Sequence, residues 1–548
     1  METKKVVVLG GGVAGLTAAH ELIDRGFAVE IYEKTLNLGG KAKSNTKVYS
    51  GGGAGLPLPG EHGFRFFPGF YQHLPDTMSR IPFLSDTVAN NLVIGKQSAI
   101  AQEMKPLFIF LTHIPNTLQD WILVFDDWYN RPELGLKPGE PEFFASRLLK
   151  FMSTCDKRRL AELENVRWWD YVQADSHSLQ YQKICARGLT RSLVAMSAEV
   201  ASTRTVGSIL VQMMMSMTLQ AATMDRVLNA PTNDAWIEPW TEYLNSRGVL
   251  AYLDHSVQSM EFDGTQITGV LIQGPDGVRT VTGDYYLAAF PVEVAQTLFT
   301  TQMSTFAPSL RGIPALETEW MSGIQFYLKR DVRCCAGHII CADSPWAITC
   351  ISQPQFWSGV NMNSFGDGSI AGIISVDISD WDTPGCKTTT KTARQCTSAG
   401  EVAAEVWAQL FDHLVATNDP LLVGDQKDFF LDPSIAFPIA ANSQPLLVNT
   451  IGSWSKRPIA TTEIRNLFLG ADYVQTNTDL ATMEGANEAA RRAVNGILAE
   501  SNSTAQLCQV WQFNEPAIFA PLKALDEALF NLGLPHPGFS VLRFMAGF

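Results

Sequence analysis

Near the start of the chain the apolar positions change their period twice. Lys4 to Leu9 is a short β-branched run, Leu16 to Arg25 spaces its apolar residues helically, and Ala28 to Tyr32 returns to a strand pattern, which predicts a β-α-β unit. Gly51 to Gly60, reading GGGAGLPLPG, predicts a long loop. From about Tyr71 to Leu244 helical spacing dominates, in Phe143 to Met152, Leu179 to Ala198 and the methionine-rich Ile209 to Leu219, and this block reads as a helical insert. Beyond Val249 the pattern shortens to strands at Ser256 to Phe262, Gln266 to Gln273 and Val278 to Leu287, with turns at Asp263-Gly264 and Asp276-Gly277. A mixed stretch from about Met321 to Val448 alternates strands with a helix near Glu401 to Ala416. A strand at Leu467 to Gly470 and a helix from Met483 to Leu498 close the pattern. No internal repeat is visible.

Composition narrows the class. The 548 residues exceed one ordinary core, since domains of about 100 to 200 residues are the usual unit, so two interleaved domains are expected. With 46% hydrophobic and 18% charged residues the chain should fold throughout. A formal net charge of -14 repels phosphate backbones, which argues against nucleic-acid partners. Lys4 and Lys5 before an apolar run imitate a signal peptide, but the glycines that follow point to a nucleotide site. No stretch reaches the ~18 to 20 uninterrupted apolar residues of a spanning helix; Leu107 to Phe125 is broken by His113, Pro115, Asn116, Gln119 and Asp120. The expectation is a soluble protein with at most a peripheral membrane contact. Nine cysteines, an odd number, fit a reducing cytoplasm. Cys334, Cys335, Cys341 and Cys350 match no zinc or iron-sulfur spacing, so no metal is expected.

The chemistry is carried by glycines. Gly10, Gly12 and Gly15 form G-x-G-x-x-G around Val13 and Ala14, directly between a strand and a helix, with Glu33 and Lys34 ending the next strand. The first glycine permits a tight turn, the second lets the backbone approach a pyrophosphate, and the third lets helix and strand pack closely. The helix N-terminus offers free N–H groups to a diphosphate, and Glu33 can accept from ribose hydroxyls. A second glycine turn, Gly39-Gly40-Lys41-Ala42-Lys43-Ser44, brings backbone and a cation to the same cofactor, which favours FAD over NAD. Late in the chain, NLFLGADYVQTNTDLATMEGANEAARRAVNGIL delivers Asp472 from a strand and opens a helix with Thr482, Met483 and Glu484. That helix end suits negative charge on a reduced flavin, and Gly485 and Ala486 permit close approach.

On GGGVAGLTAAHEL with Glu33, GGKAKS, Gly60-Glu61-His62 and ADYVQTNTDLATMEGANEAARRA, the chain resembles the FAD-dependent amine oxidase and phytoene desaturase superfamily. It is most similar to the plant and cyanobacterial type of phytoene desaturase and to hydroxysqualene dehydroxylase-like proteins, strongly over the nucleotide-binding segments and weakly elsewhere. The resemblance implies an α/β fold: a two-part, glutathione-reductase-like Rossmann-type FAD-binding domain from 1–75, 245–300 and 450–500. An interleaved α+β substrate domain, carrying the helical insert, would span 76–244 and 301–449, with 501–548 as a C-terminal extension. It implies Glu33 on the adenosine ribose, Lys41 near the diphosphate, Val257 at adenine, Asp472 on the ribitol or diphosphate and Met483 at the isoalloxazine. Gly60 and His62 match a glycine-x-histidine loop beside the flavin. Gly470-Ala471-Asp472 departs from the alanine-glycine-aspartate of many relatives. With no histidine or cysteine between Thr476 and Ala486, the FAD is expected to be non-covalent.

The reaction stays open among three readings. The leading one is dehydrogenation or desaturation of a hydrophobic, isoprenoid- or lipid-like substrate by hydride transfer to flavin N5, with oxygen or a quinone as acceptor. The others are an oxygen-dependent amine or amino-acid oxidase and a redox-neutral isomerase or dehydroxylase. Amine oxidases usually place an aromatic where Thr482 stands and tend to place a lysine where the chain has Met321-Ser322-Gly323. His62, Arg65 and Asp479 are the polar candidates for proton transfer. The substrate cavity is expected to be apolar and formed mainly by the helical insert, whose Met213, Met214, Met215 and Met217 make a pliable surface. Arg187, Arg191 and Arg204 offer a carboxylate or diphosphate head group an alternative.

Overall fold

Val6, Val7, Val8 and Leu9 are fully buried because the strand Lys5–Leu9 lies at the centre of a five-stranded sheet. The computed structural model describes residues 3–109, 117, 120–121, 123, 130–188, 190–191, 196–218 and 225–538. The sheet runs Leu250–Leu253, Ala28–Glu33, Lys5–Leu9, Tyr285–Ala288, Leu467–Leu469, and every neighbouring pair is parallel. A strand buried on both faces reads as a continuous apolar run, which is why Val6 to Leu9 shows no alternation. Helices Val13–Ile23 and Met483–Glu500 pack together, with Asn487 donating to Thr17 Oγ1 at 2.9 Å. Two remote parts of the chain are thereby joined behind the glycine turn.

A seven-stranded sheet forms the second layer, in the order Phe108–Ile109, Gln97–Ala101, Gly337–Cys341, Thr349–Ser352, Gly372–Ile378, Ser322–Leu328, Gln426–Leu431. Ile339, Cys350, Val376 and Ile324 are cross-strand neighbours and pack with Val402, Val406 and Leu410 of the helix Ala399–Leu414. Alternation along a strand sends adjacent residues to opposite faces. The next row, Thr349, Asp377 and Gly323, therefore faces away from that helix.

Several predicted elements change on folding. The block from Tyr71 contains strands among its helices: Gln97–Ala101 pairs in parallel with Gly337–Cys341, and Arg226–Leu228 joins Leu92–Ile94 and Phe66–Phe67. Such short runs acquire sheet character only from partners far away in sequence. Leu58–Glu61, expected as loop, pairs with Ser44–Lys47. The single strand predicted over Val278 to Leu287 is broken into Gly277–Val281 and Tyr285–Ala288, which join different sheets. Leu179 to Ala198 is a short helix followed by a π-helical turn over Gln182–Arg187, and 189 and 192–195 lie outside the described residues.

Residues 501–538 strap back onto the body. Asp526 on the helix Ala520–Asn531 accepts from Cys155 N–H and Arg158 Nε, each at 2.9 Å, and Trp511 N–H donates to His73 Nε2 at 2.9 Å. Among the described residues no helix is long and apolar enough to cross a membrane.

Candidate functional site

The turn after Lys5–Leu9 holds Gly10 at a φ of +109°, a conformation open to glycine at little cost. A Cβ on Gly15 would lie 1.9 Å from Gly10 O, so the helix can lie this close to the strand only with glycine there. Gly10, Gly12, Val13 and Ala14 border a cavity of about 580 Å³. Gly12 caps the helix without a side-chain hydrogen bond, which leaves first-turn N–H groups available to an anion. Gly15 lies behind this turn, in the packing role read from the sequence.

Glu33 ends its strand at the cavity, 6% exposed. Its carboxylate accepts from Gly11 N–H at 2.8 Å, Thr35 N–H at 2.9 Å and Thr35 Oγ1 at 2.8 Å. Lys34 is exposed, and Val257 joins the lining from the strand Ser256–Phe262. Gly40 and Lys41 line the next section; Lys41 Nζ pairs with Glu293 at 3.2 Å and donates to Pro445 O. Burial pushes the Glu293 carboxyl up, against the pull of Lys41.

On the far side, Ala471 and Asp472 enter the lining just past the strand Leu467–Leu469. Gly470 packs instead against Leu287, 2.9 Å from where a Cβ would stand, so the reversed Gly-Ala order keeps close packing at the strand end. Thr482 caps the helix Met483–Glu500, accepting from Gly485 N–H at 3.1 Å. Thr482, Met483 and Ala486 all line the cavity. Tyr71, its phenol pushed up by burial, hydrogen-bonds Thr482, so an aromatic ring reaches this point from a different element. A glycine cradle, an open helix N-terminus, an acid at a strand end and a second helix end on one cavity fit an elongated dinucleotide such as FAD.

Besides Gly15, three expected site residues lie outside the lining. Gly60 sits under the Phe430 ring, 2.6 Å from where a Cβ would stand. Glu61 accepts from Thr232 Oγ1 at 2.7 Å, Thr232 N–H at 3.1 Å, Ser44 Oγ at 3.2 Å and Arg65 Nε at 3.2 Å, and so ties loops together. Asp479, at a φ of +47°, accepts from Arg457 at 2.6 Å, Arg204 at 2.7 Å and Thr205 Oγ1 at 2.6 Å. It anchors the loop whose next residues, Leu480 to Met483, reach the cavity. His62 and Arg65 do line the cavity. His62 Nδ1 pairs with Asp432, while its buried Nε2 has no partner.

The wall expected from the helical insert is built differently. From the helical block only Tyr71, Ile209 and Met213 line the cavity among the described residues. Ile209 and Met213 are one helical turn apart, whereas Met214 turns into the core; the Met217 side chain lies outside the described set. Most of this wall comes from the loop around Phe64 to Tyr71, from Gln444 to Leu447, from Met321 just before the strand Ser322–Leu328, and from His338, Thr349 and Asp377 of the seven-stranded sheet. The three arginines weighed as head-group ligands are occupied: Arg187 by Glu199 at 2.7 Å, Arg191 by Asp380, and Arg204 by Asp479 and Glu164.

Sequence reasoning missed His338 and Asp377. The signal was present at Asp377, a lone acid in the strand Gly-Ile-Ile-Ser-Val-Asp-Ile. All nine cysteines are free, and among the described residues no three of His, Cys, Asp and Glu gather as metal ligands.

The family described as flavin containing amine oxidoreductase matches residues 13–498. A zeta-carotene desaturase from Synechocystis sp. is 25% identical over 527 residues, covering 90% of this chain and 97% of that protein. The solved structure of putrescine oxidase with putrescine bound shares the fold, with a TM-score of 0.59 at 11% identity over 91% of this chain and 99% of that one. An oxidoreductase from Methanosarcina mazei is alike in fold at a TM-score of 0.56 and 12% identity, over 90% of this chain and 100% of that one.

Proposed function

Because the chain belongs to the flavin-containing amine oxidoreductase family, we propose that it binds FAD non-covalently and dehydrogenates a long apolar molecule of the isoprenoid or carotenoid class. In this reading Gly10, Gly12 and the first helical turn hold the diphosphate, with Lys41 beside it. Glu33 takes the adenosine ribose, Val257 the adenine, Asp472 the ribitol, and Met483 with Ala486 the isoalloxazine. When bound, the flavin supplies two-electron chemistry, accepting hydride at N5 and passing the electrons to a quinone or to oxygen. The absence of histidine and cysteine from Thr476 to Ala486 supports release of the cofactor by acid precipitation.

The observation that carries the substrate class is the aromatic and aliphatic part of the cavity lining. Phe64, Phe66, Phe70, Ile209, Met213 and Met321 form it, and the chain reads Met321-Ser322-Gly323 in the stretch where amine oxidases tend to place a lysine. Apolar walls with few polar groups suit apolar ligands. The coverage of a zeta-carotene desaturase over 97% of its length supports the same class. Anaerobic mixing with zeta-carotene in detergent micelles should bleach the oxidised flavin band, while putrescine should leave it unchanged. Bleaching by putrescine alone would replace this reading with an amine oxidase.

A further inference from the structure

Two carboxyls share one cross-strand row of the seven-stranded sheet. Thr349, Asp377 and Gly323 are direct neighbours, and Asp432 follows, its N–H donating to Gly323 O at 3.0 Å. Their surroundings differ. Asp432 pairs with His62 and accepts from Ser434 N–H at 3.0 Å and Ser434 Oγ at 2.8 Å. Burial would raise its carboxyl, but these donors hold it below the usual range. Asp377 borders the cavity at 6% exposure, and its Oδ1 has no hydrogen-bond partner.

The chain is shaped around that oxygen. A Cβ on Gly63 would stand 2.7 Å from Asp377 Oδ1, and a Cβ on Gly323 would stand 2.6 Å from His62 O. Glycine at both positions lets the loop lie on the sheet without a side chain covering the carboxyl. His338 shares this face: Ile340 opposes Thr349, and alternation by two puts His338 on the same side. Its Nε2 is also without a partner, its ring lies 5.3 Å from Phe64 and 5.0 Å from Phe66, and burial pushes its pKa down to about 4. It is therefore neutral near pH 7. Around Asp377, burial dominates and raises the carboxyl to about 7, against Arg65 and the Phe64 N–H, which favour the charge, and with Glu61, which opposes it. A base is most useful with a pKa close to the working pH.

We propose that Asp377 is the proton-accepting group of this cavity, taking the proton that the substrate loses as its new double bond forms. The assignment rests on the dehydrogenation reading above. A bound oxidised flavin would take hydride, a proton with two electrons, from one substrate C–H bond. The adjacent C–H bond gives its proton to the Asp377 carboxylate, and its electron pair becomes the new π bond. The proton then returns to solvent, and the two electrons leave with the quinone or oxygen.

The test uses the flavin-loaded full chain and its Asp377→Asn and Asp377→Glu variants. Infrared difference spectra across pH 5 to 9 should show a protonated-carboxyl band that titrates near 7 in the parent and is missing from Asp377→Asn. In anaerobic stopped flow with zeta-carotene micelles, Asp377→Asn should bleach at least ~100-fold more slowly, the lower range of general acid–base catalysis, with unchanged flavin content. Asp377→Glu should recover part of the rate. An absent band, or equal bleaching rates in parent and Asp377→Asn, would overturn the proposal. If zeta-carotene leaves the parent flavin oxidised, the desaturase reading falls and the carboxyl titration alone decides whether Asp377 exchanges a proton.

Discussion

Glu33 and Asp377 are both 6% exposed on the same cavity, yet Glu33 accepts three protein hydrogen bonds and Asp377 leaves Oδ1 with none. Glu33 belongs to a wall made of backbone: glycines, helix ends and strand ends whose polar groups are already directed. Asp377 belongs to a wall made of side chains, with rings at Phe64 and Phe66 and a neutral histidine beside them. Three donors fix the Glu33 carboxylate in place, while burial dominates around Asp377 and raises its carboxyl. In the proposed reading the first wall holds the cofactor and the second exchanges a proton with the substrate.

That contrast breaks first if the backbone wall tolerates bulk. Gly15→Val places carbon within 1.9 Å of Gly10 O, so the chain should lose bound flavin entirely, read from the visible-to-ultraviolet absorbance ratio and the circular dichroism melt. Full flavin occupancy would show that the glycine packing is dispensable. Next in size, Asp479→Asn leaves Arg457 buried beside a neutral partner. Breaking a buried pair costs about 3 to 5 kcal/mol, so denaturant unfolding should move accordingly, with flavin chemistry retained in the folded fraction.

Glu33→Gln sharpens the comparison from the other side. A hydrogen bond to a charged acceptor is worth ~1.5 to 3 kcal/mol, or roughly ten- to a hundredfold in Kd, measurable by quenching of FAD fluorescence. Refilled with excess FAD, this variant should turn over normally.

Smaller still is a pH effect at Asp377. Its folded pKa, about 7, lies above the ordinary 3.8, so the folded state binds more protons between those values. Its contribution to stability is full below that window and is lost as pH rises through about 7. The parent Tm should fall by a few degrees between pH 5.5 and 8.5, and Asp377→Asn should show less of that fall. The smallest effect belongs to Glu293→Gln, which frees Lys41 from its 3.2 Å partner and should tighten FAD a few-fold.

The same contrast explains what was legible beforehand. Gly10, Gly12, Glu33, Lys41, Asp472, Thr482 and Met483 are short-range signals, each next to the strand or helix end that aims it, and the cavity gathers all of them. Gly60 and Glu61 matched by position, but their place in the Leu58–Glu61 strand turns them to Phe430 and Thr232. Asp377 and His338 come together only through the pairing of strands that sequence reading could not register. The methionine run misled for a related reason: composition suggests a pliable surface, but helix phase decides that Met213 faces the cavity and Met214 the core.

Arg457, fully buried, donates to Asp472 O at 3.1 Å, Tyr473 O at 3.0 Å and Val474 O at 2.6 Å, as well as to Asp479. One guanidinium thus staples both ends of the segment that carries Asp472 and leads to Thr482. Ordering a loop at the moment of association subtracts from affinity. Here the conformational entropy is surrendered during folding, so the segment is already ordered before any ligand arrives.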